Sequence, residues 1–437
     1  MATRKFRTPP QSLRGMRDIL PQDQIYWEKV RQAFKKNAAD FGFDRIDTPI
    51  LEPLVLFDRT IGQGTDIVEK EMYSFITRGK EHVALRPEFT ASIARSYIEN
   101  GMNRLTKPVK LCSMGPLFRY ERPQQGRYRQ HHQVDFEAFG RADPLMDAQI
   151  ILVAQQLLKK IGIHKRTRVL INSIGCLECR KPYLKSLGNF LKKEKVSLCP
   201  DCKKRSQKNP LRTLDCKVEN CKKALKKAPK LVDALCEKCS GHFKQVLGYL
   251  DELGLKYDID TSLVRGLDYY NRTVFEIVAR DLKGNNKYAL VGGGRYDGLI
   301  KLLGGKDTSG IGFGSGVERF ITELKQNAKE KKIQISAGQP KPVHLVAFGE
   351  MGKKRSIKLL VDLLNASIKT TESFGRDSIK AQLKAADRSG AKFALIIGQK
   401  EALDQTVIVR NMEVGSQEIV PLEKLIKHLK KMLKKKN

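Results

Sequence analysis

Apolar residues recur at helical spacing early in the chain: Ile25, Val30, Ala33 and Phe34 predict a helix over 23–40. FGFDRIDTPILEP then reads as a loop and a short strand ending at Pro53, and strand-like HVALRP leads into a helix over 89–100. Residues 117–140, LFRYERPQQGRYRQHHQVDFEAFG, predict a hairpin. One strand runs through Leu117, Arg119 and Glu121, a loop turns at Pro123 and Gly126, and a second strand returns over 132–139. Alternation puts Gln133, Asp135 and Glu137 on one face of the return strand and Val134, Phe136 and Ala138 on the other. A sheet face that gathers arginines and carboxylates costs stability unless something charged binds there. A helix follows near 145–161, strands at 273–280 and 288–298, and a strand, glycines and helix over 310–325.

Three segments emerge from this pattern. Residues 1–335 form a first unit, interrupted at about 175–250 by a lysine- and cysteine-rich insertion that ends in the helical HFKQVLGYLDELG. The polar stretch 326–342 carries Gly338, Pro340 and Pro342, and its end, 336–342, is taken as the linker. Residues 343–437 alternate strands and helices, which predicts a small α/β domain on a mixed sheet.

Composition adds a partner. The 437 residues include 82 Lys plus Arg against 48 Asp plus Glu, a formal charge of +34. That excess points to a polyanion, with nucleic acid ahead of a ribosomal or membrane-surface partner. No apolar run approaches the ~18–20 residues of a membrane span, and MATRKFRTPPQ has no signal core. A cytoplasmic, soluble protein with no membrane partner is the expectation. Eight of nine cysteines fall in pairs, Cys176/Cys179, Cys199/Cys202, Cys216/Cys221 and Cys236/Cys239. Such knuckles suit one or two tetrahedral Zn(II) ions, and thiol-rich packing is the alternative; Cys112 lies on a predicted strand as core.

The candidate chemistry is arginine chemistry. Arg119, Arg127 and Arg319 come from separate elements and could clamp a triphosphate in bidentate fashion. VGGGRYDG lacks the GxGxxG spacing, and GEMGKK is two residues short of a P-loop and has Lys354 where Ser or Thr must hold magnesium. The glycines of GIGFGSGVER would let a flat base lie against the strand, beside Arg319. In LVRGLDYYN, alternation lets only one of Tyr269 and Tyr270 face a given pocket.

Together these motifs resemble the histidyl-tRNA synthetase family of class II aminoacyl-tRNA synthetases, over essentially the whole chain. RGMRDILP is similar to the family's N-terminal signature, RIDTPILEP to class II motif 1, the dimer interface, GPLFRYERPQQGRYRQHHQ to motif 2 and GIGFGSGVERF to motif 3. LRPEFTASIAR, LVRGLDYYN and ALVGGGRYDGL resemble segments specific to this family and its close paralogue. The resemblance implies an α+β core on an antiparallel sheet with flanking helices, a C-terminal anticodon-binding domain and a homodimer. The implied reaction uses ATP with Mg(II) to activate L-histidine and passes it to tRNA(His). It implies Glu88 and Thr90 at the substrate amino group, and Gln133, Glu137, Tyr269 and Tyr270 around amine and imidazole. It places Arg119 and Arg265 at the reacting carboxylate and α-phosphate as the catalytic pair, with Arg127 and Arg319 on ATP. It assigns Asp135 no contact. Phe89 departs from the small residue usual between Glu88 and Thr90. The paralogous regulatory subunit of ATP phosphoribosyltransferase lacks the last domain and has an eroded RGLDYY; both are intact here.

Overall fold

The computed structural model describes residues 9–62, 65–124, 126–330, 342–375 and 378–434. The chain forms two compact units, Met1–Ile335 and Ser336–Asn437. All of the expected 336–342 linker except Pro342 lies outside the described residues, as do the last three residues of the lysine-rich tail.

An eight-stranded, mainly antiparallel sheet organises the first unit. The second to fifth strands in its order are Val109–Phe118, Gln130–Phe139, Gly310–Gly316 and Asn286–Arg295. Asn271–Arg280, Thr167–Ser173 and Tyr257–Ile259 continue one side, and Asp44–Arg45 borders the other. One face is apolar and is covered by helices Gln24–Phe41, Pro144–Ile161, Glu237–Glu252 and Val317–Glu330, whose Trp27, Ile150, Phe243 and Phe320 join its buried cluster. Val134, Phe136 and Ala138 enter that cluster as the alternation requires. Phe136 stacks on Phe313 and meets Phe34 and Phe43 edge-on.

This packing sets the register. A one-residue slip would turn Phe136 outward, losing about 1.5–3 kcal/mol for that side chain alone. The same slip would drive Asp135 and Glu137 into the core, so the apolar face holds the carboxylates on the other side. The insertion contributes helices Leu177–Lys193, Pro200–Lys208 and Glu219–Leu225. Tyr183, Leu187 and Leu191 bury themselves with Phe89, Tyr270 and Tyr296, so the insertion shares a core with the site face of the sheet.

The second unit is a five-stranded mixed sheet. Thr370–Glu372, Val343–Ala347 and Phe393–Ile397 run parallel, and Thr406–Asn411 and Gln417–Pro421 complete it antiparallel. The GEMGKK segment starts the helix Gly349–Asn365. A short helix, Gln399–Leu403, has no counterpart in the sequence expectation; five residues are too few to show a period.

Candidate active site

Glycines make room for the site. The strand Gly310–Gly316 alternates core residues with glycine, Asn286–Arg295 carries three glycines in a row, and side chains from neighbouring segments fill the space above several of them. A Cβ on Gly292 would overlap the Arg265 guanidinium, one on Gly310 the Tyr296 ring, and one on Gly312 the Glu137 carboxylate. A Cβ on Gly314 would lie 3.0 Å from Oε1 of Gln133. The expectation that the GIGFGSG glycines receive a flat base is therefore corrected at Gly312 and Gly314, whose space the protein's own carboxylate and amide occupy.

The arginines converge on a cleft of about 320 Å3, lined by Arg119, Arg127, Gln133, Arg265 and Arg319. Arg119 lies one residue past the end of its strand, which closes at Phe118, and its Nε donates to the Pro87 carbonyl at 2.8 Å. Arg265 pairs with Glu276, which faces Gly292 across the ladder. Burial opposes the Arg265 charge, but Glu276 and the flanking tyrosines hold its pKa above the ordinary value. Arg319 sits in the first turn of its helix, donates to the Ala289 carbonyl at 2.6 Å and lies over the Tyr288 ring. Arg127 is half exposed and faces Glu121 at 3.5 Å. Four cations in one cleft repel one another; burial and Arg127 both lower the Arg319 pKa. A bound polyanion relieves that repulsion.

Beside the cleft is a buried hydroxyl–carboxyl cluster. Thr90 Oγ1 donates to Glu137 at 2.5 Å, Tyr296 donates to the other Glu137 oxygen, and Tyr269 donates to Glu88 at 3.4 Å. Glu88 also accepts the Ala91 N–H at 2.8 Å, which fixes it at the start of helix Thr90–Glu99. Burial raises the Glu88 pKa. Burial likewise pushes Glu137 up to about 7, against the Thr90 and Tyr296 hydroxyls that favour its charge. Asp135 is pushed well above the carboxylate range by burial and by the neighbouring Glu137 carboxylate, and its buried Oδ1 has no hydrogen-bond partner within the protein.

Two expectations change here. Both Tyr269 and Tyr270 face this cluster, with ring centroids 4.7 Å apart and each edge-on to Tyr296. They precede the strand that begins at Asn271, so strand alternation does not govern them. Phe89 is buried under the Arg86 guanidinium and fills core space. Sequence reasoning also passed over Tyr296, Glu276 and Glu318. Glu318 accepts the His132 backbone N–H through both oxygens at 3.0 Å, tying the Arg319 helix to the hairpin. His131 lines the cleft, and burial with Arg119, His132 and Arg319 drops its pKa to about 3, so it adds no charge there.

The eight paired cysteines gather into two groups, Cys176, Cys179, Cys236 and Cys239, and Cys199, Cys202, Cys216 and Cys221. Within each group all sulfurs lie within 4.8 Å of one another, and all are free thiols.

A strand–loop–strand arginine hairpin on an antiparallel sheet, closed by a glycine strand and an arginine-bearing helix, defines a class II aminoacyl-tRNA synthetase. The family profile described as histidyl-tRNA synthetase matches residues 15–320, and that described as anticodon binding domain matches 343–432. The chain is 46% identical to a histidine–tRNA ligase of Dehalococcoides mccartyi, over 97% of this chain and all of that one. It is 43% identical to one of Halothermothrix orenii over 96% and 99%. The crystal structure of apo Staphylococcus aureus histidyl-tRNA synthetase superposes with a TM-score of 0.80 at 33% identity, covering 97% of this chain and 100% of that one. The chain belongs to the histidyl-tRNA synthetase family, and its function is histidine–tRNA ligation.

Proposed function

We propose that the cleft and the hydroxyl–carboxyl cluster divide the first half-reaction between them: ATP lies along the arginines and L-histidine points its imidazole into the cluster. The convergence of Arg119, Arg265, Arg127 and Arg319 on one cleft carries this reading. Histidine's carboxylate attacks the α-phosphorus of ATP, pyrophosphate departs, and histidyl-adenylate forms. Negative charge grows on the five-coordinate phosphorus, so guanidinium groups fixed beside it stabilise the transition state more than the ground state. Arg119 and Arg265 take that position, and no side chain need give or take a proton. Arg127 and Arg319 hold the outer phosphates.

Mg(II) takes carboxylate oxygens together with phosphates. Glu121 and Glu276 are cleft-lining carboxylates that would hold it, and the Glu121 oxygen that faces Arg127 at 3.5 Å makes no hydrogen bond within the protein. The ion would neutralise charge on the departing pyrophosphate.

Glu88 and Thr90 would receive the substrate amine together with Gln133, while Glu137, Tyr269 and Tyr270 frame the imidazole. Polar groups built for an imidazole are left unpaired by other side chains, which gives selectivity. A ribose hydroxyl at the tRNA(His) 3′ end then attacks the adenylate's carbonyl carbon, forming an ester as the acyl–phosphate bond breaks and AMP departs. A wider cleft of about 750 Å3 shares Arg127 and Arg319 and adds Lys217, Lys222, Lys226 and Lys230, a cationic approach for that end. We assign catalysis to 1–335 and anticodon recognition to 343–437.

A homodimer in the cytoplasm completes the reading. The motif 1 region exposes Ile50, Leu51, Val55, Phe75 and Ile76, an apolar surface that a second copy would cover. Among the described residues no helix is long and apolar enough to cross a membrane. The two cysteine groups are proposed to hold structural Zn(II). The test is ATP–pyrophosphate exchange with each of the twenty amino acids: exchange strictly dependent on histidine supports the site, and exchange driven equally by others rejects it. Sedimentation as a monomer at micromolar concentration would reject the dimer.

A further inference from the structure

The segment Arg265–Tyr270 carries three of the proposed histidine and phosphate contacts yet has no helix or strand of its own. Three of its positions are held by the insertion. Arg180 donates to the Tyr270 carbonyl, Asn209 Nδ2 donates to Asp268 at 2.8 Å, and Arg212 donates to the Arg265 carbonyl at 3.2 Å. Each of these side chains is tied to a cysteine group. Arg180 follows Cys179 directly. Asn209 and Arg212 lie between Cys202 and Cys216, two members of the same group.

The sulfur geometry suits one ion per group. Tetrahedral Zn–S bonds of about 2.3 Å put sulfurs about 3.8 Å apart. Cys176 and Cys179 sulfurs are 3.6 Å apart, and those of Cys199 and Cys216 3.9 Å, far beyond a disulfide of about 2.05 Å. Backbone N–H groups already point at the sulfurs: Cys236 N–H at Cys179 and Cys199 N–H at Cys221, both at 3.1 Å. Such donors stabilise thiolates and orient metal ligands. Four soft sulfurs gathered in a compact group suit Zn(II), with iron the other metal that an all-thiolate site takes.

We infer that the two groups are separate tetrathiolate Zn(II) sites that position Arg265–Tyr270, so that metal occupancy sets the affinity for histidine. This rests on the zinc and histidine readings above. Without the ion, the 203–215 segment loses the closure of its two ends, and Asn209 and Arg212 lose their fixed place under the loop. ATP is held mainly by the hairpin and the motif 3 helix, so the ATP subsite keeps its geometry.

The experiment is metal analysis by mass spectrometry on the full chain, joined to calorimetric histidine binding and the KM for ATP. Wild type should carry two zinc ions per chain, and the Cys176→Ser/Cys179→Ser and Cys199→Ser/Cys202→Ser variants one each. Both variants should bind histidine at least tenfold more weakly, with the ATP KM changed less than twofold. Asn209→Ala and Arg212→Gln should retain two ions and still weaken histidine binding several-fold, which keeps the test readable if a cysteine variant fails to fold. Absence of zinc, iron in its place, or disulfides found by mass would overturn the metal sites and the proposal with them. Two zinc ions with unchanged histidine binding in Asn209→Ala and Arg212→Gln would overturn the positioning role. Zinc stoichiometry is read without turnover, so it stands or falls apart from the assignment of the histidine pocket.

Discussion

Gly312→Ala places one methyl group where the account is least tolerant. The added Cβ would overlap the Glu137 carboxylate and stand 2.5 Å from the Phe136 carbonyl oxygen, against 3.4–4 Å for ordinary contact. Glu137 can swing away, but the Phe136 oxygen belongs to the paired strand, so the two strands must also part by about 0.9 Å. Overpacking of this kind costs about 1–3 kcal/mol of stability. The displaced carboxylate leaves Thr90 and Tyr296 and no longer meets the imidazole. One hydrogen bond to a charged group is worth about 1.5–3 kcal/mol, which converts to a histidine KM raised roughly 10- to 150-fold. The ATP KM should hardly move, because the arginines do not touch Gly312. Pyrophosphate exchange with varied histidine, beside a thermal melt, reads both effects. A wild-type histidine KM in a folded Gly312→Ala protein would refute the placement of the imidazole at Glu137.

Other outcomes follow from the same geometry. With the Glu137 pKa near 7, its acceptor form gains population as pH rises, so the histidine KM should fall from pH 6 to about 7.5 and level off; Glu137→Gln should lose the part of the slope that the substrate's own imidazole titration does not explain, and an unchanged profile would contradict this. For stability the sign is opposite: the buried carboxyl holds its proton above the unfolded range, so its contribution is present at low pH and is lost as pH rises through about 7. Affinity for tRNA should drop steeply between about 50 and 200 mM salt as counterion release is suppressed, and a flat response would argue against the basic surface. Gly248→Ala, on an exposed turn of helix Glu237–Glu252 with nothing within 4 Å of the new Cβ, should stabilise by about 0.5–1 kcal/mol in urea unfolding, and destabilisation would contradict that packing.

Much of this was legible in the sequence. The return strand announced its two faces through strict alternation, and Phe136 and Glu137 lie where that period puts them. Helices such as Gln24–Phe41 and Pro144–Ile161 showed their period because they bury one stripe each. The arginines were visible because charged residues beside glycines and turns are unusual in a core. What stayed hidden depends on contacts distant in the chain. Tyr296 reaches Glu137 across 159 positions, and Glu318 reaches His132 across 186, which no local pattern encodes. Tyr270 faces the pocket through an irregular turn, where period-two reasoning fails. The cysteine spacing showed four knuckles, but which knuckles join, first with fourth and second with third, depends on the fold of the insertion.

The central claim is that fixed guanidinium groups carry adenylation. Arg265, held by Glu276 against Gly292, is the group whose removal tests it with least disturbance to the sheet. The measurement is the single-turnover rate of histidyl-adenylate formation in Arg265→Ala at saturating histidine and ATP. The account predicts a loss of about 2.7–4 kcal/mol of transition-state stabilisation, a rate lower by about 10²–10³. A rate within threefold of wild type would contradict it.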